Sequence, residues 1–500
     1  MTFYEILFFY IIFWTAVVSP TPILNRRYTP KTNIFDLTIE KVTLSPDGFT
    51  RQLSTINGQY PGPTLEVNKG DRIVMRVNNQ LGEPTGNLQR IFSNVLFVVR
   101  VSKRILQIEI LAIHAHGMLQ RGTPWFDGVP WMAQCVIPNN FEFTYNFTVP
   151  DQVGTHWYHA HETMQYVDGA FGALIIHDPD DPYKSEYDEE IIVMLNDYHH
   201  TNAQILLKQF LTPESQGVEA PPGSKCVDNA GLAKFEFVKD KKYRLRIINT
   251  SAFSAFFFSI DKHEMEVIEV EGLYTKRTKI HRLPINVAQR YSVIVTANQP
   301  TDNYIMRSEF QKKCMPDAAS SLPIIKAIVH YEGAPDDSEP NDYPWSDSLT
   351  ECVDLDQKTL QPLEVEKIPE STKKLKLDIA FHKNDTGVVK AFLNGSTYIP
   401  DINFPTLDKL FKHSPINETS ANAYVFDKDG EVVDIYFINA DDDEHPFHIH
   451  GYQFWVLGTG NGAKWHLESG LLMQLITLPD EILKMKPPKE WTELCELGER

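Results

Sequence analysis

Apolar residues along this chain come in short β-branched and aromatic runs, broken by glycine, proline or asparagine, and long helical periods are few. That spacing predicts many short strands joined by turns. Three runs resemble one another: Asp71-Arg-Ile-Val-Met-Arg-Val-Asn78, Lys242-Tyr-Arg-Leu-Arg-Ile-Ile-Asn249 and Glu431-Val-Val-Asp-Ile-Tyr-Phe-Ile-Asn439. Each opens on a charged residue, and the closing Asn recurs after 171 and 190 residues. So long a period implies three copies of one domain, not a short-repeat solenoid. Short strands in this arrangement predict an all-β chain of three β-sandwiches, over 30–180, 188–335 and 365–480. Residues 178–188 and the acidic, proline-rich stretch 335–365 read as linkers, and 481–500 as a charged tail without an assignable role.

Composition narrows the function. A net charge of −19 on 500 residues argues against nucleic acid, whose phosphates call for excess Lys and Arg. Residues 1–20 read as a secretory signal: Ile6 to Val18 is apolar, too short to span a bilayer comfortably, and Ser19-Pro20-Thr21-Pro22 follows. An N-terminal anchor is the alternative, because the basic n-region is absent. No later stretch is long and apolar enough to span a membrane. Export agrees with sequons at Asn146, Asn249, Asn384, Asn394 and Asn417. Cys135, Cys226, Cys314, Cys352 and Cys495 are odd in number, so pairing leaves one thiol over.

Histidine carries the chemistry. Eight of 17 fall in His114-Ala-His116, His159-Ala-His161, His445-Pro-Phe-His448-Ile-His450 and a lone His466. Residues two apart on a strand share a face, so each His-x-His step offers two imidazoles together. Several such pairs imply a polynuclear site for copper, zinc or iron, not one closed tetrahedron. In the middle copy the corresponding slot holds Phe258 and Ile260, so that domain is expected to be metal-free and His263 structural. Metal should lie between the outer domains, with the middle one fixing their spacing. His156, His199 and His200 read as residues of the surface or of the layer behind the ligands, and His177 as closing the first domain.

These motifs resemble the multicopper oxidases: laccases, ascorbate oxidases and fungal iron ferroxidases. The resemblance rests on Pro61-Gly-Pro-Thr-Leu-Glu-Val-Asn-Lys-Gly70, His114-Ala-His116-Gly-Met, Asp127-Gly-Val-Pro, Gly154-Thr-His-Trp-Tyr-His159-Ala-His161, Val287-Ala-Gln-Arg-Tyr-Ser-Val and the His445 cluster. It implies cupredoxin-like Greek-key sandwiches, and one-electron oxidation of a small reductant coupled to reduction of O2 to water. It also implies type 1 copper on His445 and His466, type 2 on His114 and His448, and a type 3 pair on His116, His159, His161 and His450. In similar enzymes a cysteine placed like Cys495 pairs with one placed like Cys135. A secreted monomer is expected.

Two departures matter. The family's His-Cys-His step, whose cysteine is the type 1 thiolate, is absent between Val456 and His466, although Trp465 to the axial-position Leu471 resembles the end of that motif. About two dozen residues, 86–111, also stand where relatives have almost none. A retained or misassigned intron would produce both, against a genuine extra hairpin. Without the thiolate the electron path is broken and little turnover is expected. The substrate reads as a phenol or Fe2+, the latter favoured by Glu219 and Asp441, with Tyr398 a weaker match. The alternatives are a non-enzymatic copper-binding protein or defective gene product and, more distantly, a zinc hydrolase.

Overall fold

The structure, a computed structural model, describes residues 6–12, 28–82, 110–215, 232–314, 324–336, 340–347, 353–439, 447–458, 474–477 and 479–498. It is built of strands, with few and short helices, and forms three units of two sheets each. Two four-stranded sheets make the first, two five-stranded sheets the second, and a five-stranded with a two-stranded sheet the third. Among the described residues no helix is long and apolar enough to cross a membrane.

The repeated strands occupy equivalent places. Arg72–Gln80, Lys242–Asn249 and Val432–Asn439 each run parallel to the strand that opens their unit: Thr32–Leu44, Glu189–Leu195 and Lys373–Lys383. Each has an antiparallel neighbour on its other edge, Glu142–Thr148 in the first unit and Arg290–Thr296 in the second.

In the third unit that neighbour is Ile6–Ile12, part of the run expected as a signal. It pairs antiparallel with Val432–Asn439 and with Phe454–Gly458. Arg290–Thr296 makes the same two pairings, with Lys242–Asn249 and Met265–Val270. The register repeats as well: Lys242 faces Thr296, and Val432, 190 residues later, faces Ile12. The N-terminal run thus takes the place that Arg290–Thr296 holds in the second unit, for which the described residues after 458 offer no other strand. Left open, that slot would expose two rows of unpaired backbone groups. Among the described residues the third core, around Val433, Ile435 and Phe437, is far smaller than the other two.

Residues 83–109 lie outside the described residues, but the flanks of the expected insertion converge. Asn79 Nδ2 and the Leu111 amide both donate to the Ile137 carbonyl, and the Gly82 amide donates to Asn139 Oδ1. The charged tail also has a function in the fold. Helix Lys489–Gly498 buries Trp491 and Leu494 in the first core, Trp491 Nε1 donates to the Ala133 carbonyl at 2.9 Å, and Cys495 is disulfide-bonded to Cys135. Cys314 is disulfide-bonded as well.

Three histidines were expected at the surface or behind the ligands. His156 and His199 are buried, not on the surface, and His200 packs flat on Phe49 while bonding Asp47 at 2.6 Å. His263 is structural as expected, held between the Asp261 carbonyl and the Tyr331 hydroxyl. His177 bonds Glu66.

Candidate metal centre

Strand Ile113–His116 pairs antiparallel with Gly154–Ala160, setting His114 opposite His159 and His116 opposite Trp157. Every residue of Ile113–His116 is buried. The alternation of a strand sends His114 and His116 one way and Ala115 the other, into the first unit's core. His161, just past the second strand, stacks with His159 at 5.5 Å between ring centroids.

His448 and His450 meet this wall from the third unit. Ring centroids lie 3.9 Å apart for His114 and His450, 4.0 Å for His116 and His448, and 5.2 Å for His161 and His450. His114, His116 and His448 bring one ring nitrogen each within 4.8 Å of one another. His114, Asp127 and His450 make a second such group.

The rings are prepared as ligands. His114 Nδ1 donates to the Asp127 carbonyl at 2.6 Å, which leaves its buried Nε2 without a hydrogen-bond partner among the described residues. His159 Nδ1 donates to the Ala160 carbonyl, and His450 Nδ1 to Asp127 Oδ2 at 3.0 Å. A ring nitrogen that donates to oxygen fixes the tautomer and turns the other lone pair outward, as metal sites require. Burial, then neighbouring imidazoles, holds His114, His116 and His159 well below the usual histidine pKa, so they stand neutral. A buried lone pair with no donor to meet it, beside the neutral imidazoles of His116 and His159, fits a metal cation.

The middle unit is more than a spacer. Its buried Glu269 accepts from the Thr155 amide at 2.6 Å, from Ser292 Oγ, and from Arg244 Nη2 at 2.6 Å. Arg246 Nη1 donates to Thr155 Oγ1, and Arg290 Nε to the Thr155 carbonyl. Thr155 lies on the strand that carries His159, so the second unit grips the histidine-bearing sheet directly.

Of the eight expected ligands, the structure brings His114, His116, His159, His161, His448 and His450 together. His445, His466, Glu219 and Asp441 lie outside the described residues. Tyr398 is half-buried, and burial followed by the nearby Glu162 pushes its hydroxyl pKa up. Cys495 cannot serve as a thiolate because it is tied to Cys135. Sequence reasoning assigned no role to Asp127, although it stands in the Asp127-Gly-Val-Pro motif. Its carbonyl orients one unit's histidine and its carboxylate the other's. The grip of Glu269 on Thr155 carries no local signal at all.

Family models described as multicopper oxidase match residues 38–87 with 90–181, 189–334 and 401–471. A laccase of Trametes hirsuta is 31% identical over 460 residues, 88% of this chain and 81% of that protein. The iron transport multicopper oxidase fetC of Epichloe festucae is 32% identical over 449 residues, 87% of this chain and 66% of that protein. The crystal structure of Fet3p, a multicopper oxidase that functions in iron import, superposes with a TM-score of 0.78 at 27% identity, covering 94% of this chain and 95% of that one.

Proposed function

The chain belongs to the multicopper oxidase family of copper-dependent oxidoreductases, and we propose that its six gathered histidines hold the type 2 and type 3 coppers while its substrate-side copper site is incomplete. The function of the lineage is then one-electron oxidation of a phenol or Fe2+ coupled to reduction of O2 to water, in a secreted monomer. Copper bound there would supply one-electron redox chemistry and a seat for dioxygen. His114 and His448 would hold the type 2 ion, and His116, His159, His161 and His450 the type 3 pair. Asp127 orients His114 and His450, and Trp157, stacked at 4.2 Å on His159, walls that ring in. Burial of His114, His116 and His159 keeps these three dry and deprotonated at neutral pH.

The donor set does not fit a type 1 site. His445 and His466 supply two imidazoles, and no cysteine lies between Cys352 and Cys495 to supply a thiolate. Copper retention with little oxidase turnover follows. Glu219 and Asp441 favour Fe2+ through carboxylate preference for the ferric product, and phenols remain the other substrate class.

One observation carries this reading: His114 and His116 face His450 and His448 at 3.9 and 4.0 Å between ring centroids. The test is to load the full chain with Cu(II), desalt it, and measure copper per chain, visible absorption, and oxygen uptake with Fe2+ and with a phenol. We expect more than one copper per chain, no intense thiolate band and little uptake, with copper lost in a His114→Ala, His448→Ala variant. A chain that retains no copper overturns the site. A deep blue, actively respiring protein overturns the impairment.

A further inference from the structure

A pocket of about 370 Å³ opens on the third unit beside helix Thr406–Phe411. One wall is apolar: Ile399 and Ile402 are 60% and 64% exposed, and Ile416 joins them. The other is polar, with Asp401 and Lys409 ion-paired at 2.5 Å. Large aliphatic side chains left in water side by side mark a surface that something covers. Asn417, of the sequon Asn417-Glu-Thr419, lines the same pocket.

The five sequons are not equivalent. Asn249 is fully buried, and its Nδ2 donates to the Ser254 and Ile285 carbonyls, so the folded chain has no room for a sugar there. This corrects its reading as an acceptor site. Asn394 Nδ2 donates to the Lys376 carbonyl and the Tyr424 hydroxyl, and a sugar would cost one of these bonds. Asn417 is exposed; its Oδ1 accepts from the Ser420 amide, and its Nδ2 has no acceptor among the described residues.

We propose that Asn417 carries an N-linked glycan whose first N-acetylglucosamine lies across the isoleucine pocket. This rests on the reading of the chain as exported. A lipid-pyrophosphate-linked oligosaccharide supplies the sugar. A bond forms from Asn417 Nδ2 to the anomeric carbon, the anomeric carbon–oxygen bond to pyrophosphate breaks, and the amide proton departs with the lipid pyrophosphate. The occupant suits the walls. The C–H face of a pyranose packs on Ile399 and Ile402, while its hydroxyl and acetamide groups reach Asp401 and Lys409. The tether rises from the pocket's own rim.

The full chain, secreted from a yeast host, tests this by glycopeptide mass spectrometry and by fluorescence of an apolar surface dye. We expect near-complete occupancy at Asn417 and none at Asn249. Endoglycosidase H, which leaves the first sugar, should leave dye fluorescence unchanged. Peptide N-glycosidase F, or a T419A variant that never acquires the sugar, should raise it about twofold. Glycans at Asn146 or Asn384 with Asn417 bare overturn this inference alone, and a chain bare at every sequon overturns it together with export. An occupied Asn417 with equal dye fluorescence in T419A overturns the seating of the sugar.

Discussion

Gly128 follows the residue that orients His114 and His450, and it stands at φ +83°. A methyl added there would sit 1.9 Å from the Ile113 carbonyl oxygen, 2.5 Å from its carbon and 2.9 Å from His114 Cα. A carbon–oxygen contact relaxes only near about 3.3 Å, so strand or turn must move by about 1.4 Å. Either movement strikes the site, because the strand carries His114 and the turn carries Asp127. Left-handed backbone costs about 1–2 kcal/mol for a residue with a side chain, and forced displacement about 1–3 more. Gly128→Ala should therefore lose roughly 2–5 kcal/mol, a fall in Tm of roughly 4–20 °C. It should also lose copper retention, since a shift of about 1 Å is large for a ligand cage. Gly122→Ala is the control: φ there is +73°, but its Cβ would meet nothing within 4 Å. It should pay the backbone strain alone, about 1–2 kcal/mol, and keep its copper. Calorimetry and metal analysis of the two variants decide the matter. If Gly128→Ala melts with Gly122→Ala and retains wild-type copper, the steric reasoning fails.

Three further outcomes follow from the same structure. Burial raises the Glu269 pKa, but Arg244 and Arg246 outweigh it and hold the group at about 2, below its ordinary 4.5. Its stabilisation is therefore complete above pH 4.5 and is lost as pH falls toward 2, by about 3 kcal/mol; urea unfolding across that window should show the decline, and Glu269→Gln should flatten it while lowering stability at neutral pH. Cys135 and Cys495 close a loop across 360 positions, so a Cys135→Ser, Cys495→Ser variant should lose up to about 6 kcal/mol by the chain-entropy account, read as a lower midpoint in guanidinium. Deleting residues 1–20 should open the slot between Val432–Asn439 and Phe454–Gly458 and speed amide exchange in both strands; unchanged protection there would show that Ile6–Ile12 does not complete the sheet.

The deletion experiment also separates two uses of one segment. A signal that is cleaved cannot remain as a strand of the third unit. The apolar pattern of Ile6–Ile12 suits both, because an apolar run without charges satisfies a translocation signal and a buried strand alike. In this structure its pairings repeat those of Arg290–Thr296 position for position, an arrangement open to an exported chain whose N-terminal segment stays attached.

What the chain determines by itself is local or periodic. Alternation of period two sets the strands, and the recurrence of Asn78, Asn249 and Asn439 marks three copies whose strands do occupy equivalent sheet positions. The His-x-His steps place pairs of imidazoles on one face because that follows from strand geometry alone. Phe258 and Ile260 in the middle copy are buried in its core, as their substitution for histidine implies. Tertiary structure alone decided the rest. Asp127 and His450 are 323 positions apart, Cys135 and Cys495 360, and Thr155 meets Glu269 across a unit boundary. No short-range pattern encodes such meetings, because each depends on how whole sandwiches dock. Burial shows the same division. Asn249, Asn394 and Asn417 share a motif in sequence, and only the packing around each amide nitrogen tells which can take a sugar.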